Sequence, residues 1–334
     1  GYGAGSGGLL TTGGSLANLI ALVTARKELL PETFFGGTLY CSDQVHRSFQ
    51  KSANVAGFPF TNIREIPTDD RFRMRIDALV DAIRRDRQEG FRPFFVVGSA
   101  GTTNTGAVDD LDAIAAVAAD NEMWFHVDGA YGAFFMLTER GRAIMRGIER
   151  ADSVVLDPHK TLFLPYGTGG LVVRDAGALR RAHSLHAEYL PDMQQDEELV
   201  DFCEISPELS RDFRGLRVWL PMKLAGAAVF RHQLDEKLDL TLWATEELRN
   251  IEGIEIVAEP QLSVVAFRLK GSDDLNRRLL DRINARKRVM LTPTKLGDRF
   301  VIRICVVSFR THRDRMEMAM EDIRVAVEEV AANR

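Results

Sequence analysis

Apolar positions in this chain follow two rhythms. Short runs rich in β-branched and aromatic residues, closed by polar or glycine-rich turns, alternate with longer stretches whose apolar residues recur about every three or four positions. The short runs predict strands at residues 37–42, 62–66, 93–97, 123–128, 152–157 and 171–174. The longer stretches predict helices at residues 16–27, 76–87, 111–120, 143–150 and 176–184, and another starting near residue 43 with Asp43 or Ser42 as its cap. Strand then helix, several times over, describes an α/β architecture: an open, mostly parallel sheet with helices on both faces. Further on, apolar helices at residues 216–230 and 234–250 lead to strands at 254–257, 264–269, 290–293 and 300–307 and helices at 274–286 and 313–331. The pattern predicts a large domain over residues 1–230 and a small C-terminal α+β domain over residues 231–334.

Ligands of such sheets sit outside the carboxyl ends of the strands. One strand there runs into Asp157-Pro158-His159-Lys160 and another delivers Asp128 into Gly129-Ala130-Tyr131-Gly132. A buried lysine has its pKa lowered and becomes an amine nucleophile able to form a Schiff base. If the cofactor is pyridoxal 5′-phosphate (PLP), Lys160 would hold its aldehyde and Asp128 would keep its pyridine nitrogen protonated, making the ring an electron sink. Taken singly, Lys160 also reads as a surface charge and Asp128 as a cap or turn residue.

Gly13-Gly14-Ser15 opens the first helix and reads either as a phosphate cradle or as an ordinary serine cap in a glycine-rich leader. It lacks the Gly-Lys-Ser/Thr ending of a nucleotide P-loop, and Gly3, Gly5 and Gly8 only loosely mimic a dinucleotide fingerprint. His46, in the first turns of the second helix, either stacks on a flat ring or is a packed histidine. The hydroxyl-rich run 102–105 follows a strand and is expected to face the crevice. Arg303, in an otherwise apolar strand, either binds a substrate carboxylate or is a paired structural arginine. Residues 186–207 are acidic, irregular and long for a passive connection, and read either as a mobile loop or lid or as an ordinary solvated loop.

Composition narrows the classes. A formal charge of −5 implies no broad field for nucleic acid, and 45% hydrophobic with 27% charged residues is ordinary for a globular chain. The three cysteines are widely spaced, which indicates a reducing, cytoplasmic setting and gives no zinc signature. No apolar run approaches the roughly 18 residues of a membrane span, and the glycine start suggests a fragment or processed form.

Together, Thr11-Thr12-Gly13-Gly14-Ser15-Leu16-Ala17-Asn18, Tyr40-Cys41-Ser42-Asp43-Gln44-Val45-His46, Gly101-Thr102-Thr103, His126-Val127-Asp128-Gly129-Ala130-Tyr131 and Asp157-Pro158-His159-Lys160 resemble, in order and spacing, the group II PLP-dependent amino-acid decarboxylases. These include aromatic-L-amino-acid, histidine, glutamate and 2,4-diaminobutyrate decarboxylases. The resemblance implies the PLP-dependent transferase fold type I and an obligate homodimer. It implies that Gly14 and Ser15 hold the phosphate, His46 stacks on the ring and helps organise the carboxylate, and Thr103 lies near the ring. It further implies that Asp128 pairs with the ring nitrogen, Ala130 packs beneath it, Lys160 carries the cofactor and His159 supports the phosphate side. The expected reaction turns an L-amino acid, aromatic ones slightly favoured, into its amine and carbon dioxide.

Two departures from the family stand out. The family carries a further N-terminal segment that wraps the partner subunit and supplies part of the substrate pocket. Its mobile loop also carries a tyrosine thought to protonate the substrate carbon, and ungapped alignment from Phe213-Arg214-Gly215-Leu216 puts Phe202 there. Phenylalanine has no hydroxyl to donate. In plant relatives this exchange accompanies oxygen-dependent aldehyde synthesis, so that activity is an alternative, with Tyr189 and His46 as substitute proton donors. A chain that has lost activity and serves as a cofactor-binding or structural homodimer subunit is the remaining alternative.

Overall fold

The computed structural model describes residues 2–185 and 200–332. Strands β1 (Gly7–Thr11), β2 (Gly37–Ser42), β3 (Ile63–Ile66), β4 (Arg92–Ser99), β5 (Trp124–Asp128), β6 (Ser153–Leu156) and β7 (Gly169–Val173) make one sheet in the order β1-β7-β6-β5-β4-β2-β3. Strands β3, β2, β4, β5 and β6 run parallel, and β7 is antiparallel to both of its neighbours. The mostly parallel sheet read from the sequence is therefore present. Its central strands are apolar on both sides because both sides are covered. Leu39, Cys41, Phe95 and Val97 meet α1 (Gly14–Leu29), α2 (Arg47–Val55) and α7 (Ala176–His183). Tyr40, Val96, Phe125 and Val127 meet α3 (Ile76–Gln88), α4 (Leu111–Asp120) and the start of α9 (Ala227–Arg249).

The C-terminal region has its own antiparallel sheet. Strands β8 (Ile254–Ala258), β9 (Val264–Leu269), β10 (Thr292–Leu296) and β11 (Arg299–Cys305) lie in the order β10-β11-β9-β8. Leu279, Phe267, Ile302 and Ile323 anchor a separate core between this sheet, α9, α10 (Asp273–Ala285) and α11 (Arg313–Ala332).

Several boundaries differ from the sequence reading. β1 lies in the glycine-rich leader, where it pairs with β7; its glycines hide the strand pattern. Helix α2 begins at Arg47 and is capped by His46, whose side chain accepts from the Ser48 N–H; neither Asp43 nor Ser42 caps it. The helix expected at 143–150 is displaced to α5 (Glu139–Ile144), followed by a 3-10 turn at Ile148–Arg150. The first apolar helix, α8 (Gly215–Ala225), ends at Gly226, whose φ of +75° breaks an apolar pattern that continues straight through. After β6 the chain closes into the four-residue helix α6 (Pro158–Thr161).

One buried carboxyl fixes the turn that carries Thr102 and Thr103. Asp109 accepts from the Met74 N–H at 2.6 Å and the Ser99 N–H at 2.8 Å, while its own N–H donates to the Ser99 carbonyl at 2.9 Å. The turn between β4 and α4 is thus tied back to the strand end. Burial pushes the Asp109 carboxyl up to about 6. The folded chain therefore holds a proton that the unfolded chain releases from about pH 4 upward. The stability linked to that proton is present below about pH 4 and is lost as pH rises through 6. Compared with Asp109→Asn, the wild-type chain is expected to lose about 3 kcal/mol of unfolding free energy between about pH 4 and about pH 7. Urea melts of both chains across that range check this; parallel stability profiles would refute it.

Candidate active site

The carboxyl ends of β4, β5 and β6 and the start of α1 surround a cavity of about 420 Å³, within the range of small-molecule sites. Gly14, Ser15, His46, Thr103, Asp128, Ala130, His159 and Lys160 all line it. Phe202 and Arg303 do not, and Tyr189 lies outside the described residues.

Asp128 ends β5 and is held by a chain of neutral groups. The Trp124 indole N–H donates to Ser153 Oγ at 2.7 Å. Indole can only donate, so the Ser153 hydroxyl proton is free for His126 Nδ1, also at 2.7 Å. His126 Nε2–H then donates to Asn18 Oδ1 at 2.8 Å, and Asn18 Nδ2 donates to Asp128 Oδ2 at 3.2 Å. The Ala130 N–H reaches Asp128 Oδ1 at 3.2 Å. Burial pushes the His126 pKa down to about 4, so the ring stays neutral and the direction of the chain is fixed.

The other end of the cavity is an anion cradle. The N-cap of α1 is Gly13, which has no side chain to cap the helix start, so the first amides face the cavity. A Cβ on Gly14 would lie 3.1 Å from the Ala130 Cβ and 3.0 Å from Asp157 Oδ2. One on Gly169 would lie 2.4 Å from the Gly13 Cα, so β7 presses directly on the cradle. His159 donates from Nδ1 to the Thr168 carbonyl at 2.7 Å, which leaves Nε2 turned inward, 3.7 Å from Asp157.

Lys160 stands between the two ends. It is not the buried lysine the sequence suggested: its side chain is 43% exposed, and its Nζ lies 3.0 Å from Asp157 Oδ2. The α6 turn places it there, with the Lys160 N–H on the Asp157 carbonyl and the Thr161 hydroxyl on the Tyr131 carbonyl. Asp157 itself is 2% exposed, and its Oδ1 has no hydrogen-bond partner.

Two expected residues have other surroundings. Arg303 donates to the Thr103 carbonyl and, at 3.0 Å, to Thr292 Oγ1; it braces the Thr103 turn and lines a separate cavity beside β10. Phe202 is 43% exposed and lies under the Arg211 guanidinium, 4.9 Å from its ring centre. The sequence reading passed over Asn18 and Asp157. The signal for Asn18 was a lone amide in an apolar helix, and for Asp157 a carboxylate fixed in front of a proline.

An anion cradle at one end, a carboxylate at the other and an amine between them fit the phosphate, ring nitrogen and aldehyde of PLP. The orphaned Asp157 oxygen marks where a polar ligand would complete the packing, and the close approach of Asp157 and Ala130 to Gly14 leaves room there for backbone only. Residues 2–270 match the family described as the pyridoxal-dependent decarboxylase conserved domain. An aromatic-L-amino-acid decarboxylase of Bacillus atrophaeus is 39% identical over 97% of this chain and 69% of its own length. The crystal structure of Oryza sativa TDC with PLP and tryptamine superposes with a TM-score of 0.92 at 29% identity, covering 97% of this chain and 71% of that one. Rhodiola rosea 4-hydroxyphenylacetaldehyde synthase superposes with 0.89 at 27% identity, over 97% and 70%. Site geometry, family match and relatives converge, and the chain belongs to the pyridoxal-dependent decarboxylase family, as a PLP-dependent amino-acid decarboxylase.

Proposed function

We propose that this chain decarboxylates an aromatic L-amino acid to its amine, and that it works in the cytoplasm as a homodimer. The observation that carries the reading is the placement of Asp128 and Lys160 at the ends of the adjacent strands β5 and β6, facing one cavity with a glycine cradle. The aromatic preference is supported by the names of the relatives. The exposed apolar residues Leu216, Trp219, Leu220 and Leu224 of α8 support a covered face, as a dimer would provide. No described helix is long and apolar enough to cross a membrane, and all three cysteines are unpaired.

Bound PLP supplies an electron sink for the pair left when the carboxylate departs. We assign the protein's part as follows. The amides of Gly14 and Ser15 receive the phosphate, with His159 beside it. Asp128, fixed by Asn18, would hold a proton on the ring nitrogen, and Ala130 would pack against the ring. Thr103 sets the edge of the pocket and His46 its wall. His46 accepts at Nδ1 from the Ser48 N–H, so its Nε2 carries the proton and is a candidate donor to the substrate carbon. Lys160 would hold the group by its aldehyde, within reach of the substrate amine. Arg303, committed to Thr103 and Thr292, is assigned the structural alternative.

A second reading has its own observation. Ungapped alignment puts Phe202 at the place of the family's loop tyrosine, and phenylalanine offers no proton. The alternative is oxygen-dependent conversion to an aldehyde, the activity named for the Rhodiola rosea relative.

Three outcomes are expected. The purified chain with PLP and aromatic L-amino acids should release carbon dioxide and amine in equal amounts without oxygen uptake; aldehyde and peroxide in step with oxygen uptake would establish the second reading instead. Lys160→Ala should lose the visible absorbance of bound cofactor, with turnover falling about a thousandfold or more; an unchanged band would remove Lys160 from its role. Asn18→Leu keeps the side-chain size and deletes both of its hydrogen bonds, so kcat/KM should fall about ten- to a hundredfold. Unchanged kinetics would show that Asp128 needs no such support.

A further inference from the structure

We propose that Asp157 accepts the proton that Lys160 sheds on taking up PLP, and then holds the cofactor's phosphate as a carboxylic acid. The proposal rests on the reading of the cavity as the PLP site. Asp157 is a buried acid placed in a phosphate cradle, where a second anion is poorly matched unless something neutralises one of them. In the chain as it stands its charge is met by the Lys160 ammonium at 3.0 Å, with His159 Nε2 at 3.7 Å. One oxygen, Oδ1, is buried and unpartnered. Both oxygens lie within 3.4 Å of where a Gly14 Cβ would be, so the carboxyl faces the start of α1 directly.

Among the described residues, the charged groups that act on it come from two places. His159 and Lys160 come from its own turn, and Asp128 at the end of β5 adds like charge. The start of α1 brings Gly14, which carries no charge, against its carboxyl. Burial already raises the Asp157 pKa, and Lys160 is the chief group opposing that rise. Uptake of PLP removes this opposition. The Lys160 nitrogen and the aldehyde carbon form a C=N bond, the carbonyl oxygen leaves as water, and the ammonium's surplus proton passes to Asp157. The neutral acid then donates to a phosphate oxygen, and its second oxygen remains an acceptor. Asparagine at this place would donate equally well but take no proton.

The test is PLP affinity from about pH 6.5 to about 8.5 for the wild-type chain and Asp157→Asn, followed by cofactor absorbance. Proton capture by Asp157 makes wild-type loading one proton less pH-dependent than that of the variant. The ratio of wild-type Kd to variant Kd should therefore rise about tenfold per pH unit. The variant should bind at least as tightly at the alkaline end. A second readout needs no variant: the infrared difference spectrum of loaded minus free wild-type chain should show a new carboxylic-acid C=O band. Parallel affinity profiles, or no such band, would overturn the proposal while leaving the cofactor reading intact. Failure of the wild-type chain to bind PLP at all would overturn that reading and this one with it.

Discussion

The site depends on one buried amide. Asn18 accepts a hydrogen bond from His126 and donates one to Asp128, and it does so from the helix whose first turn is the proposed phosphate cradle. It is therefore the point where the two ends of the cofactor site are tied to each other. The position needs a donor and an acceptor together, which a carboxylate or a hydrocarbon cannot supply. Because the relay behind it, through His126 and Ser153 to Trp124, is neutral and complete, Asp128 is steadied without a buried counter-ion. A fully satisfied buried network of this kind specifies one arrangement of the core.

The two aspartates of the cavity show how surroundings divide one chemistry into two. Asp128 has a donor on each oxygen, from Asn18 and from the Ala130 backbone. Asp157 has one oxygen on a lysine that must turn to other work and one oxygen on nothing. A carboxylate held by fixed dipoles keeps its charge. One held by a mobile cation keeps it only while the cation stays. Separation of paired acids by environment is the general way a site obtains both a permanent charge and a labile proton.

The parallel sheet was legible because strands buried on both faces read as continuous apolar runs, and Asp128 and Lys160 stood out at the ends of two of them. The C-terminal strands and helices kept their own periodicities for the same reason. Elsewhere local pattern was silent or misleading. Glycines masked β1, whose strand character comes from pairing with β7 rather than from side chains. Apolar spacing ran unbroken from α8 into α9, and a single positive φ at Gly226 decides the boundary. Asn18 looks from sequence like an incidental helix residue, since its partners are 108 and 110 positions away. Lys160 was expected to be buried because it follows a buried strand, but the α6 turn swings it into an open cavity. Arg303 could be read two ways until Thr103, 200 positions distant, was found against it.

The central claim, carried over from the proposed function, is that the Asn18-anchored Asp128 keeps the cofactor's ring nitrogen protonated. The most direct measurement is the ¹⁵N NMR shift of ring-labelled PLP bound to the chain, at a pH where the free cofactor's ring nitrogen is unprotonated. The account predicts the shift of a protonated pyridine nitrogen that persists as pH rises. The shift of a bare pyridine nitrogen would contradict it, because the electron sink would then lack the charge that Asp128 is placed to sustain.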